Sequence, residues 1–234
     1  MLITPEFIAQ NSPATYDPVR GQFVRDYLGD TRFKIAANKF HVFDLSTELS
    51  SCDELYFAFT AVDGTGAVTT TLSPVFESLY RGSERQFSNL VLWQGTANKG
   101  GVVVSVTVMV EDEGAYYDQL KNNLDQIREQ IYKQMLTDPH DVKGTLANIA
   151  FDAAGVSFPP WAQALSAGIL AFAEAFIKWS ADDFVGTHTY VFTEDFFWIY
   201  KATWPSNLGG ASGRIDGADQ GEAELELSLA VGMA

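Results

Sequence analysis

The sequence predicts a mainly β protein, an antiparallel β-sandwich of about eight strands with an inserted block of three helices. Three observations lead there. Short runs of β-branched and aromatic residues recur at near-regular spacing, separated by clusters of glycine, proline and polar turn formers. Between 115 and 181 the apolar residues change to helical spacing, and after Gly186 the strand pattern resumes. The last run, 222–231, alternates cleanly: Glu222, Glu224, Glu226 and Ser228 on one side, Ala223, Leu225, Leu227 and Leu229 on the other, as in a strand with one wet face. Strands before and after a helical block fit one domain with an insertion. The expected division is an arm over 1–32 and a single sandwich over 33–234, interrupted at 115–181.

The elements follow in order. The arm carries Pro5, Pro13, Pro18 and scattered aromatics without a clean period, with one short helix expected over 23–28. Over 39–45, Phe40, Val42 and Asp44 alternate with His41, Phe43 and Leu45, a strand with apolar residues on both faces. The run 54–62, ELYFAFTAV, reads as a central strand closed by the turn Asp63-Gly64-Thr65-Gly66. A return strand over 68–76 contains Pro74, which marks an edge or a strand end. Residues 85–94 give the next strand, followed by a loop over 95–101. In 102–110, Val102, Val104, Val106, Val108 and Val110 share one face, and Val103, Ser105, Thr107 and Met109 the other. Being apolar or neutral on both sides, this strand belongs inside a sheet.

In the helical block, Leu120, Leu124, Ile127, Ile131 and Met135 stand at steps of three and four, an amphipathic helix over 116–137. Asp138-Pro139 caps and starts a second helix that Gly155 stops. Pro159-Pro160 opens a third, in which Trp161, Leu165, Ile169, Phe172, Phe176 and Trp179 form a stripe. Strands are expected again over 187–192 and 196–200. The glycine-rich stretch 205–219 reads as a mobile loop before the final strand.

Bulk properties exclude several functions. The net charge of −15 opposes nucleic-acid binding, which needs a basic face, and unaided binding to anionic membranes. The single cysteine, Cys52, excludes an intramolecular disulfide and a cysteine zinc cluster. The N-terminus has neither the basic region nor the apolar core of an ordinary signal peptide. The apolar tract 161–179 is broken by Gln163, Ser166, Glu174 and Lys178, so a membrane span is not favoured. A cytoplasmic or non-classically exported protein is expected. His41, His140 and His188 occupy no ligand-spaced motif, and no phosphate loop, nucleophile elbow or catalytic carboxylate pair stands out, so no enzymatic activity is expected.

Two acidic stretches suggest a site. The strand ending at Val110 runs into Glu111-Asp112-Glu113, and Asp182-Asp183 stands immediately before Phe184-Val185-Gly186. If both stretches return to one rim, their carboxylates could supply the roughly six to eight oxygens that Ca²⁺ takes. The competing reading is solvated loop acids.

These residues also resemble a family. Cys52-Asp53-Glu54-Leu55-Tyr56-Phe57, Val110-Glu111-Asp112-Glu113 and Asp183-Phe184-Val185-Gly186 resemble the three acidic signatures of the calcium-dependent lipid-binding sandwich of synaptotagmins and protein kinase C, the "C-two" domain. The resemblance covers 33–110 and 182–231 and places the helical block in the third cation-binding loop. It implies Asp53, Glu111, Glu113 and Asp183 as ligands, with Glu48 as a further first-loop acid, and Ca²⁺ as the cofactor. Glutamate replaces the family's aspartate at 111 and 113.

The function expected is a non-enzymatic binding module, a calcium-stabilised sandwich docking on a membrane surface or protein partner. The alternative is a toxin-like, pore-forming protein whose helical hairpin, about 116–180, inserts through Trp161, Phe172, Phe176 and Trp179. A weaker third reading is a hydrolase with its site between helices and sandwich.

Overall fold

The computed structural model describes residues 24, 26–45, 53–63, 67–97, 101–110, 117–118, 121–122, 184–204, 209–216 and 223–234. Among the described residues there are ten strands: β1 (Arg32–Leu45), β2 (Asp53–Asp63), β3 (Val68–Leu72), β4 (Phe76–Leu79), β5 (Glu84–Gln86), β6 (Val91–Thr96), β7 (Val102–Val110), β8 (Phe184–Phe192), β9 (Gly210–Asp216) and β10 (Ala223–Met233). A helix, α1 (Glu194–Thr203), lies between β8 and β9. Two five-stranded antiparallel sheets result. The first is ordered β5-β1-β10-β9, with β6 also on β1; the second is β3-β2-β7-β8, with β4 also on β2. The β-sandwich is as expected, with ten strands where about eight were expected.

The core lies between the sheets. Phe33, Ile35, Phe40 and Val42 of β1 and Leu225, Leu227 and Leu229 of β10 meet Leu55, Phe57, Phe59 and the even-numbered valines of β7 in one cluster. Phe40 and Phe57 pack across it with tilted rings, centroids 4.7 Å apart. β7 is buried along its whole length, flanked by β2 and β8, so the two-sided apolar run is the interior strand it was expected to be.

The strands that local pattern hides break their own period. In β1 the inward residues are Phe33, Ile35 and Ala37, then Phe40 and Val42. The pairing with β10 slips between Ala37 and Lys39, and the extra residue, Asn38, switches the inward set from odd to even positions. Only the half after this bulge looks like one strand from sequence.

The expected strand over 85–94 is two strands, β5 and β6. They pair with the two halves of β1, and at the bulge the Phe87 amide donates to the Asn38 carbonyl while the Leu90 carbonyl accepts from the Ala37 amide. The expected strand over 68–76 is also two. Pro74 cannot donate to the ladder, and the break is bridged by Ser73: its amide donates to the Phe57 carbonyl, and its Oγ accepts from the Phe57 amide at 2.9 Å.

Two further expectations are overturned. Residues 196–200 are helix, not strand. Thr193 caps α1, its Oγ1 accepting from the Phe196 amide at 3.2 Å, and Glu194 and Asp195 occupy the first turn, where the helix dipole favours acids. Phe196, Phe197, Ile199 and Tyr200 then turn inward and plug one end of the sandwich. Phe197 packs at a tilt on Phe33, ring centroids 4.8 Å apart, and reaches Trp93 at 5.9 Å. Lys201 donates to the Tyr27 carbonyl at 2.6 Å, tying α1 to helical residues 26–28.

The glycine-rich stretch expected as a mobile loop contains β9. It pairs with β10 from Gly210 opposite Ala230 to Asp216 opposite Glu224. Ile215 is buried, while Arg214 is exposed and forms an ion pair with Glu224.

At the seam between β8 and β9, His188 packs edge-on against Tyr190 at 4.6 Å, and Tyr190 crosses to the other sheet to donate to the Leu227 carbonyl at 2.8 Å. Gly213 makes room for the imidazole: a Cβ there would lie 2.1 Å from His188 Nε2. Gly213→Ala is therefore expected to lower stability by about 1–3 kcal/mol through overpacking, measurable as a shifted urea midpoint at unchanged m-value.

Burial holds the His188 pKa below its ordinary value of 6.5. The unfolded chain then binds a proton that the folded one resists, so stability is level above about pH 6.5 and falls as pH drops through the folded pKa. His188→Gln should remove that acid-side loss from urea midpoints compared at pH 7.5 and 5.

Candidate cation-binding rim

The rim is assembled by strand order. β7 ends at Val110 and β8 begins at Phe184, and Met109 and Phe184 are directly paired. The two strands that carry the acidic stretches are therefore hydrogen-bonded neighbours, and residues 111–183 connect them at one end of the second sheet. On the other side of β7, Val110 pairs with Leu55 of β2. β2 begins at Asp53, which lies opposite Leu79 of β4. Three adjoining strand ends thus bring the backbone of Asp53 beside the points where the chain departs toward Glu111 and returns from Asp183.

The first sheet ends at the same place. His188 of β8 lies against Gly213 of β9, and Gly101 and Gly209 both sit at the α1 end, close to Phe192 and Tyr200. Phe184 and Asp216 therefore share the opposite end. There Asp44, Glu224 and Asp216 occupy one row across β1, β10 and β9. Sequence reading placed Glu224 on the wet face and assigned no role to Asp44 or Asp216. Their shared row depends on the β1–β10 pairing, which local pattern does not reveal. This row is partly balanced by Arg214, which pairs with Glu224 and lies 5.2 Å from the centre of the Phe43 ring.

Of the residues expected as ligands, Asp53 is the first residue of β2, whereas Glu48, Glu111, Glu113, Asp182 and Asp183 lie outside the described residues. Trp161, Phe172, Phe176 and Trp179, expected as membrane or partner contacts, lie outside them too. Among the described residues no group of three His, Cys, Asp or Glu side chains is placed to hold a metal ion, and no helix is long and apolar enough to cross a membrane. What the backbone provides is a common exit and entry point for two acidic stretches. Carboxylates gathered there without a cation would repel one another and rise in pKa.

No protein-family model matches the chain, and no curated protein matches it. Among solved structures, the chain is similar to one of CC2D1B, described as coordinating ESRCT-III activity during the mitotic reformation of the nuclear envelope. The match has 8% identity and a TM-score of 0.36, and covers 86% of this chain and 55% of that one. The chain thus spans about half the length of that structure. It is also similar to the C-two A domain of plant extended synaptotagmin 1, at 7% identity and a TM-score of 0.34, covering 87% of this chain and 95% of the other. Likeness at this level assigns no ligand and no activity.

Proposed function

We propose that the protein is a non-enzymatic binding module in which Ca²⁺, held at the β2–β7–β8 rim, docks the sandwich on an anionic membrane surface. The carrying observation is the pairing of Met109 with Phe184, which brings the strands bearing the two acidic stretches side by side. Glu111, Glu113, Asp182 and Asp183 flank these strand ends in sequence, and Asp53 begins the neighbouring strand. A chain of net charge −15 is repelled by anionic lipid. A divalent cation shared between rim carboxylates and lipid phosphates removes that repulsion locally, so docking and cation binding are coupled.

Vesicle sedimentation tests this reading. With phosphatidylserine–phosphatidylcholine vesicles, the protein should pellet in millimolar Ca²⁺ and stay in solution with chelator. Glu111→Gln combined with Asp183→Asn should stay in solution under both conditions. Pelleting that ignores chelator, or no pelleting in Ca²⁺, would contradict the membrane reading; in the second case a protein partner becomes the one to seek.

A further inference from the structure

The outer face of the second sheet, the one turned away from the core, is buried. Tyr56, Thr60 and Val62 of β2 and Val103, Ser105 and Met109 of β7 are each at most 4% exposed. A sheet face open to water is polar and wet; this one is dry and mostly apolar. Its relief is graded. Tyr56 and Met109 stand at the rim end, and Val62 and Val103 at the other. Between them runs a row of small hydroxyl residues, Thr70, Thr60, Ser105 and Thr189, opposite one another on β3, β2, β7 and β8. Beyond the large Tyr56 and Met109 the side chains of this face are short, Ala58, Thr60, Val62, Val103, Ser105 and Thr107, and leave a low-lying trough along β7. Thr60 Oγ1 is buried without a hydrogen-bond partner, as expected beneath a cover that offers no acceptor.

We infer that this trough seats the first helix of the insertion, residues 117–135, through its apolar stripe. Tyr117 fixes the starting point. It is helical, packs on Tyr56 with ring centroids 5.4 Å apart, and donates from its hydroxyl to the Ser73 carbonyl at 2.8 Å. Asp118, Lys121 and Asn122 are exposed, so the helix side toward the sheet is the side of Tyr117. Leu120, Leu124, Ile127, Ile131 and Met135 continue that side at steps of three and four. From 117 to 135 a helix extends about 27 Å. The trough from Met109 to Val103 runs about 20 Å, so the helix spans it. The occupant is thus a segment of this chain that begins at the trough's edge and has an apolar side to match it.

Thiol accessibility tests the seating. In a Cys52→Ser chain, which has no other cysteine, Ser105→Cys reports the outer face and Val104→Cys the inner one. Maleimide labelling at 105 should be slow in the otherwise intact chain. It should be at least tenfold faster when Leu124→Asp and Ile127→Asp break the stripe, and unchanged when Phe7→Asp and Ile8→Asp alter the N-terminal arm. Labelling at 104 should stay slow throughout, showing an intact sandwich. If it also accelerates in the Asp variants, the milder Leu124→Ala is read in the same way, and equal acceleration at 104 and 105 there overturns the inference. Fast labelling at 105 in the intact chain overturns it as well, as does deprotection by the arm substitutions alone.

Discussion

Phe197→Ala is expected to cost about 3–5 kcal/mol, the range for truncating a buried aromatic. Phe197 is fully buried on α1 and touches Phe33, Trp93, Phe192 and Phe196. Its loss empties the end of the sandwich where β1, β6 and β8 converge. The same substitution loosens the clasp formed by Lys201 with the Tyr27 and Leu28 carbonyls. Against a total stability of about 5–15 kcal/mol, that is a large share. Differential scanning fluorimetry should show the melting point falling by on the order of 10 °C. A drop of only a degree or two would mean that α1 is not the plug described.

A comparable loss is expected for Gly101→Ala. Gly101 has a φ of +94°, which L side chains rarely adopt, and an added Cβ would lie 2.1 Å from the Phe192 carbonyl oxygen. The clash is with backbone, at the first residue before β7, where Val102 pairs with Phe192. No rotamer change relieves it, so β7 or β8 must shift. The strained φ costs about 1–3 kcal/mol and overpacking a similar amount, giving a total near 3 kcal/mol or above. Urea unfolding checks the size. Hydrogen exchange checks the place, since protection should fall first at Val102–Val104 and Tyr190–Phe192. Uniform loss across both sheets would contradict a local cause.

What the sequence reveals depends on whether a strand keeps its period. β10 alternates without interruption and reads directly, and β7 reads as interior because both its faces are apolar. β1 hides its first half because one residue, Asn38, switches the inward positions, and a bulge exists only in relation to a partner strand. β9, GASGRID, has the composition of a loop; it is a strand because β10 offers it a ladder and because Gly213 leaves space for His188. α1 misled for another reason. Five apolar residues in a row, Phe196 to Tyr200, mask any period, and aromatic and β-branched residues favour strands. The local cap of Thr193, Glu194 and Asp195 outweighs that preference, and it could have been read.

The candidate site was legible at the level of strand order. The stretches ending at Val110 and beginning at Phe184 adjoin through the Met109–Phe184 pair, while the acids themselves, Glu111, Glu113, Asp182 and Asp183, lie outside the described residues. The second row of acids, Asp44, Glu224 and Asp216, was not legible, because it needs the register of three strands distant in sequence.

The most direct measurement is thermal unfolding of chelator-stripped protein with and without millimolar Ca²⁺, beside the Glu111→Gln, Asp183→Asn double variant. A ligand at a hundred times its Kd stabilises the folded state by about 2.7 kcal/mol. For a chain of this length that amounts to a rise of roughly 5–10 °C. The rim account predicts this rise in the native protein and its loss in the double variant. An unchanged melting point in the native protein, or an equal rise in the variant, would contradict the cation site on which the docking proposal rests.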